Sequence, residues 1–227
     1  MNGVKRHELK FIINPQEAWI LRERLAKAVR RDPHCRGPAG YFVRSLYFDN
    51  WLDSSYYDRL EGMEHRIKFR VRLYEFGPES FLKFEIKIKH NDLIEKKTAP
   101  LSRKNLETVL AGDFSCLVAE KNSVLNEIYY HFSRKRHRPV VIVDYFRDAF
   151  ELDYNQIRVT LDTGLRKSQR IREALDPDLS TIPVLPENHV ILEIKYHRFF
   201  PSWLQGLMGL QRFQRSAQSK YCFARLL

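Results

Sequence analysis

The sequence predicts an α+β fold in which about eight antiparallel strands close into a β-barrel around a tunnel, with helices packed outside. Three observations lead there. Segment after segment alternates charged with apolar side chains, the period of a strand with two unlike faces. The strands come in runs separated by helices rather than as repeating βα units, so they pair antiparallel. At 227 residues, 44% of them hydrophobic, the chain can bury one large core, and no repeat, low-complexity tract or linker divides it. Residues 1–227 therefore read as a single domain.

The elements follow in order. Residues 5–13 (KRHELKFII) alternate as a strand and stop at Asn14-Pro15, an N-cap followed by proline at the first helical position. That helix runs to about Arg31, with Trp19, Ile20, Leu25 and Ala28 inward. After the loop DPHCRGPAG (32–40), residues 41–49 form a strand and 56–62 a short irregular or helical connection. Two long strands, 64–75 and 80–89, are joined by FGPE, which has hairpin turn chemistry, and a shorter strand at 93–98 completes the run. Ser102 caps a helix ending near Ala111-Gly112, and residues 117–132 carry a second helical period. The run SRKRHRP (133–139) reads as a solvated connector. Strands return at 140–148, 149–154, 157–163 and 189–197, and a C-terminal helical segment begins at Pro201.

Composition limits the function classes. A net charge of +11 and a pI near 9.6 favour an anionic partner. Cys35, Cys116 and Cys222 are odd in number, far apart and without metal-ligand spacing, so they suggest neither a disulfide framework nor a zinc site. No apolar run approaches the roughly 18 residues of a membrane span. The opening MNGVKRHELK is polar where a signal peptide would be apolar. The expected location is the cytoplasm, either free or docked on a membrane partner protein at the inner face of the membrane.

The distribution of charge is more informative than its sum. In HRIKFRVRLYE (65–75), Arg66, Lys68, Arg70 and Arg72 share one parity while Ile67, Phe69, Val71 and Leu73 take the other. SFLKFEIKIK (80–89) repeats the pattern with Lys83, Glu85, Lys87 and Lys89. Arg6, Glu8 and Lys10 do the same in the first strand, as do Tyr145 with Arg147, Arg158 with Asp162, and Glu193 with Lys195. In an open sheet such a face is solvated, whereas in a closed barrel it is the lumen. Two unit charges about 4 Å apart repel by roughly 4 kcal/mol at an effective dielectric of 20. A lumen crowded with cations therefore calls for water, counterions or a polyanion. Duplex nucleic acid is too wide for an eight-stranded barrel, but a linear chain of phosphates fits, and no nucleic acid partner is expected.

The ordered set formed by ELK in the first strand, R-x-K-x-R-x-R, FEIKIK, Tyr145 and Arg147 of VDYFR, IRVTLDTGLR, ILEIKY and the closing QSKY resembles the VTC domain over about residues 5–222. This is the catalytic domain of the vacuolar transporter chaperone complex and its bacterial standalone relatives. The resemblance implies a triphosphate tunnel metalloenzyme fold and an ATP-dependent polyphosphate polymerase, which transfers the γ-phosphate of ATP onto inorganic polyphosphate with Mn²⁺ or Mg²⁺. It implies Lys10, Arg70, Arg72, Lys87, Arg147 and Lys220 as the catalytic phosphate-binding cations, Tyr145 and Ser219 as neutral phosphate donors, and Glu193 as the metal ligand. The residue types suit those roles. Arginine forks match phosphate oxygens, and one carboxylate with phosphate oxygens and water can hold Mg²⁺ or Mn²⁺.

Lys68, Lys89, Arg158, Arg166 and Lys195, with Arg66, extend the basic path; solubilising positions near the tunnel mouths are the competing reading. Glu8 and Glu85 read as charge partners of the cations rather than metal ligands, and Asp162 as a strand-end residue before Thr163-Gly164.

Two departures from related patterns bear on the reaction. Hydrolytic tunnel enzymes resembling the CYTH group begin with E-x-E-x-K, but Arg6, Glu8 and Lys10 stand here, and Lys195 follows Glu193 where a second carboxylate could be. A hydrolase must activate water, commonly with two metals held by several carboxylates. A terminal phosphate, with a second pKa of about 6, is already largely ionised; it needs its repulsion from the incoming phosphoryl group suppressed. The second departure is Ala217 in AQSKY, where some family members close with K-F-S-K-Y; unless Arg215 bends in to serve, one expected cation is missing, which implies reduced affinity, slower turnover or loss of activity. The alternatives are a triphosphatase acting on inorganic or nucleoside triphosphate, a non-catalytic polyphosphate sensor, and a nucleic-acid module using the basic run 134–138 with Tyr129 and Tyr130.

Overall fold

The computed structural model describes residues 6–77, 80–91, 93–216 and 219–226. Its strands are β1 (His7–Ile13), β2 (Arg30–Arg31), β3 (Tyr41–Asp49), β4 (His65–Leu73), β5 (Leu82–His90), β6 (Leu93–Leu101), β7 (Arg138–Leu152), β8 (Ile157–Ser168), β9 (Ile182–Pro183) and β10 (Val190–Tyr196). Its helices are α1 (Pro15–Ala28), α2 (Ser54–Leu60), α3 (Arg103–Leu110), α4 (Cys116–Ala119), α5 (Ser123–Lys135), α6 (Ser202–Met208) and α7 (Lys220–Arg225). All strands join one antiparallel sheet in the order β1-β10-β8-β7-β3-β4-β5-β6, with β2 added to β7 and β9 to β8. The two strands expected at 140–148 and 149–154 are the single 15-residue β7.

The expected closed barrel is corrected to a curled sheet that does not close. Among the described residues its outer strands β1 and β6 share no ladder and meet at one bridge, where Arg6 and Ile94 exchange backbone hydrogen bonds of 3.1 and 3.0 Å. Further along, the free edge of β1 is taken by residues near the C-terminus: Arg215 bridges Phe11, and the Ser216 amide donates to the Lys10 carbonyl at 2.8 Å. Side chains still span the seam, with the Lys87 Nζ of β5 2.9 Å from Glu8 of β1.

The apolar parities face outward and are covered by helices. Leu106 and Val109 of α3, Leu117 of α4, and Leu125, Ile128 and Phe132 of α5 pack on Phe69, Phe84 and Ile86. Leu21 and Leu25 of α1, with Leu204 and Met208 of α6, pack on Phe11, Phe150, Leu192 and Ile194. Helix α1 begins as expected, in a capping box in which Asn14 accepts from the Glu17 amide and the Glu17 side chain accepts from the Asn14 amide. Its buried residues are Ala18, Leu21 and Leu25, while Trp19, Ile20 and Ala28 are exposed. Of the four residues expected to face inward, Leu25 does so, and Ala18 and Leu21 take the places expected of the others.

The concave face is not cationic throughout. Helix α7 lies against it, with Tyr221, Cys222 and Ala224 packed among Tyr47, Val143, Tyr145, Leu165 and Ile191. The Tyr221 hydroxyl donates to Asp49 Oδ2 at 2.5 Å, and Asp49 also accepts from the amides of Asn50, Ser55 and Tyr56. A single buried carboxylate thus ties α7 to the start of α2. Helix α7 and the strands around it form the floor of a passage lined by the remaining inward side chains.

Candidate functional site

Register brings the cations together. On β4 and β5, Lys68 stands opposite Lys87, Arg70 opposite Glu85 and Arg72 opposite Lys83. On β1 and β10, Lys10 faces Glu193 and Glu8 faces Lys195; on β7 and β8, Arg147 faces Asp162. Curling aims these side chains at one another around a shared cavity. Lys10, Arg70, Arg72, Lys87, Arg147 and Lys220 all line it, together with Lys68, Lys195, Tyr145, Ser219 and Glu193.

Two further cavities adjoin it, sharing lining residues. One opens past Lys68 and Lys87 toward Arg59, Arg66, Lys89 and Arg215. The other opens past Arg72 and Arg147 toward Tyr41, Tyr74, Lys83 and Arg158. Lys89 and Arg158 therefore sit at opposite mouths rather than in the centre.

Arg166 is the exception. It is exposed and donates to Thr181, outside these cavities. The β7–β8 register slips between Asp144 and Phe146, at Gly164, whose φ is +62°. An extra residue in β8 inverts the parity from there on, as bulges do. Leu165 and Lys167 turn inward where strict alternation would put Arg166. Ala217 lies outside the described residues.

A sequence profile described as the VTC domain matches residues 5–227. The chain belongs to the VTC domain family. No curated protein sequence matches it. Among solved structures it is similar to a protein from Bacillus halodurans provisionally described as an adenylate cyclase, at 14% identity and a TM-score of 0.51 over 93% of this chain and 90% of that one. It is similar also to one from Vibrio parahaemolyticus with the same provisional description, at 10% identity and a TM-score of 0.51 over 97% and 98% of the two chains. At such identities the likeness is one of fold.

In this VTC domain four carboxylates in or beside the cavities are held by cations. Glu85 lies 2.6 Å from Arg70, 3.9 Å from Arg72 and 3.2 Å from Lys96. Glu8 lies 2.7 Å from Lys10 and 2.9 Å from Lys87, as its reading as a charge partner requires. Glu193 contacts Lys195 and lies 3.6 Å from Lys10. Asp162, read from the sequence as a strand-end residue, is instead 2% exposed and accepts from Arg147 Nε and Nη2 at 2.7 and 2.8 Å, with the Lys220 Nζ at 2.5 Å. Burial works against each of these charges, but the facing cations outweigh it and keep all four carboxyls below their ordinary pKa. Tyr47 also went unrecognised in its apolar strand; its hydroxyl accepts from Arg70 at 3.3 Å.

The cations divide by partner. Burial opposes the charge on Lys10, but Glu8 and Glu193 overcome it and hold its pKa above the usual value. Burial pushes Lys87 down to about 8 despite Glu8. Lys68 is pushed down to about 7 by burial and by Lys10 and Lys87. Among the described residues it has no carboxylate partner; its Nζ contacts Ser219 Oγ at 3.1 Å and lies 4.8 Å above the Tyr221 ring. The passage thus holds ammonium groups whose charge an entering polyanion would restore.

Among the described residues no three His, Cys, Asp or Glu gather to hold a metal ion. Glu193, on the cavity wall, fits Mg²⁺ or Mn²⁺ as a single protein ligand beside phosphate oxygens and water, once it exchanges a lysine contact for the metal.

Proposed function

We propose that this VTC domain is an ATP-dependent polyphosphate polymerase. The terminal phosphate oxygen of a bound polyphosphate chain attacks the γ-phosphorus of ATP, the bond to the β-phosphate oxygen breaks, ADP leaves, and the chain grows by one phosphate. The observation that carries this reading is the central cationic cavity joined to a mouth on either side, which offers one way in for nucleotide and another for polymer. Arg70, Arg72 and Arg147 suit paired phosphate oxygens, while Lys10, Lys87 and Lys220 add point charges that reduce repulsion between two polyanions. Tyr145 and Ser219 supply neutral donors, and Lys68 and Lys195 extend the wall. Glu193 would hold Mn²⁺ or Mg²⁺, which when bound supplies charge neutralisation at the phosphate oxygens.

The carboxylates favour transfer over hydrolysis. Glu8, Glu85, Glu193 and Asp162 are each committed to cations, so none is placed to activate water as base. Among the described residues no helix is long and apolar enough to cross a membrane; we place the reaction in the cytoplasm. Incubation with ATP and Mn²⁺, followed by sizing of the products on a gel, tests the reading. Polymer is expected. Orthophosphate accumulating without polymer would replace it with a triphosphatase, and binding without turnover would replace it with a sensor.

A further inference from the structure

Both mouths are strongly cationic, but they differ in what lies beyond them. The mouth beyond Lys68 is lined by seven Lys or Arg side chains against one carboxylate, Glu8. Its two aromatic rings, His7 and Tyr196, are stacked on each other at 5.1 Å and 22°, so their facing surfaces are already covered. The mouth beyond Arg72 is itself lined by nine Lys or Arg against Glu8, but it continues through Tyr41, Tyr74, Lys83 and Arg158 into an outer groove, where four Lys or Arg are nearly balanced by Asp32, Glu75 and Glu151. Here the aromatic surface is open: Tyr41 and Tyr74 are tilted against each other at 5.9 Å and 58°, and Phe81 is 60% exposed.

We propose that this groove, walled by Tyr41, Tyr74 and Phe81, binds the base and ribose of the nucleotide, and that the inference holds within the polymerase reading given above. A bare phosphate chain gains little from aromatic faces in a charge-balanced groove, whereas a base stacks on any of them. The groove is continuous with the phosphate passage, since Arg72 and Arg147 line both the central cavity and this mouth. The walls are held in place beforehand. Arg158 donates to the Tyr41 hydroxyl at 3.0 Å and is itself anchored by Asp32 and Glu151, and Arg72 donates to the Tyr74 hydroxyl at 3.3 Å. The Lys83 Nζ lies 5.7 Å from the Tyr74 ring centre and 5.1 Å from that of Phe81, in cation–π range of both. A planar base can take that place, releasing Lys83 toward the phosphates. The nucleotide then enters base-outward from this side, and the mouth beyond Lys68 is left to the polymer.

The test compares ligands with and without a base. Affinities for ATP and for inorganic triphosphate, each with Mg²⁺, are measured by calorimetry for the wild type, Phe81→Ala and Phe81→Trp. Stacking on one ring corresponds to at least a fivefold change. Phe81→Ala is expected to weaken ATP at least fivefold while triphosphate stays within twofold, and Phe81→Trp to restore ATP binding. Triphosphate binding with ATP insensitive to Phe81, or both ligands weakened alike, overturns this inference and leaves the polymerase reading standing. Failure of the wild type to bind either ligand overturns both.

Discussion

Lys68 and Lys87 face each other across the β4–β5 ladder, a like-charge pair that costs stability unless one of the two is neutral. Their folded pKa values, about 7 and about 8, lie below the ordinary lysine value of 10.5. Over the window from about pH 7 up to the ordinary value, the unfolded chain therefore binds more protons at these sites, and their contribution to stability rises with pH. A bound polyanion reverses the shift. At pH 8, calorimetry of triphosphate binding in buffers of different ionisation enthalpy should register net proton uptake, reduced in Lys68→Met; proton release would contradict the charge assignment. Glu85, a carboxylate 1% exposed amid three cations that hold its pKa well below the ordinary value, has the same sign in the acid range: the stability it contributes is lost as pH falls. Glu85→Gln leaves those cations uncompensated and should cost about 3 kcal/mol in a denaturant titration, on the scale of breaking a buried pair. An unchanged midpoint would argue against the partner role.

At the same scale, alternation made the inward cations legible. A period of two needs no tertiary information, and it placed Arg70, Arg72, Lys87 and Arg147 on the cavity wall. It failed at Arg166 because a bulge changes parity without a mark stronger than one glycine. It undervalued Asp162 because the neighbouring Thr163-Gly164 resembles a turn, and only the β7–β8 register reveals Arg147 opposite it.

Among the elements, α7 decides the shape of the passage and was the least legible. Six residues ending at Arg225 are too few for a helical period to declare itself, and Ser219, expected as a phosphate donor, is also its N-cap, accepting from the Cys222 amide at 3.2 Å. The anchor is the Tyr221 hydroxyl on Asp49. Tyr221→Phe removes one hydrogen bond to a charged group and should cost about 2 kcal/mol. Because Lys220 and Ser219 move with α7, triphosphate affinity should fall as well. A variant that loses stability but binds triphosphate as before would show that α7 is a prop and not part of the site. The loop entering β3 is similarly constrained: Gly40 has a φ of +82°, and a Cβ there would lie 1.9 Å from the Arg147 carbonyl oxygen, so only glycine lets the chain pass behind that arginine.

For the whole molecule, the sequence conveyed an α+β chain with its cations gathered inward, but not the state of the seam. The edge of β1 away from β10 is met by Ile94 at one end and by residues 215 and 216 further along, pairings between segments distant in sequence that alternation cannot reveal. The curled sheet still brings side chains of β1, β4, β5, β7 and β10 to one cavity, so the passage survives without a complete barrel. The charge it concentrates is held by a handful of carboxylates, and the excess awaits an anion. The most direct measurement is a titration of the protein with inorganic triphosphate, read by calorimetry for the wild type, Arg72→Ala and Lys87→Ala. Saturable one-site binding is predicted for the wild type, at least tenfold weaker in both variants, with their thermal unfolding unchanged or raised. Equal affinity in all three proteins, or no binding by the wild type, would contradict it.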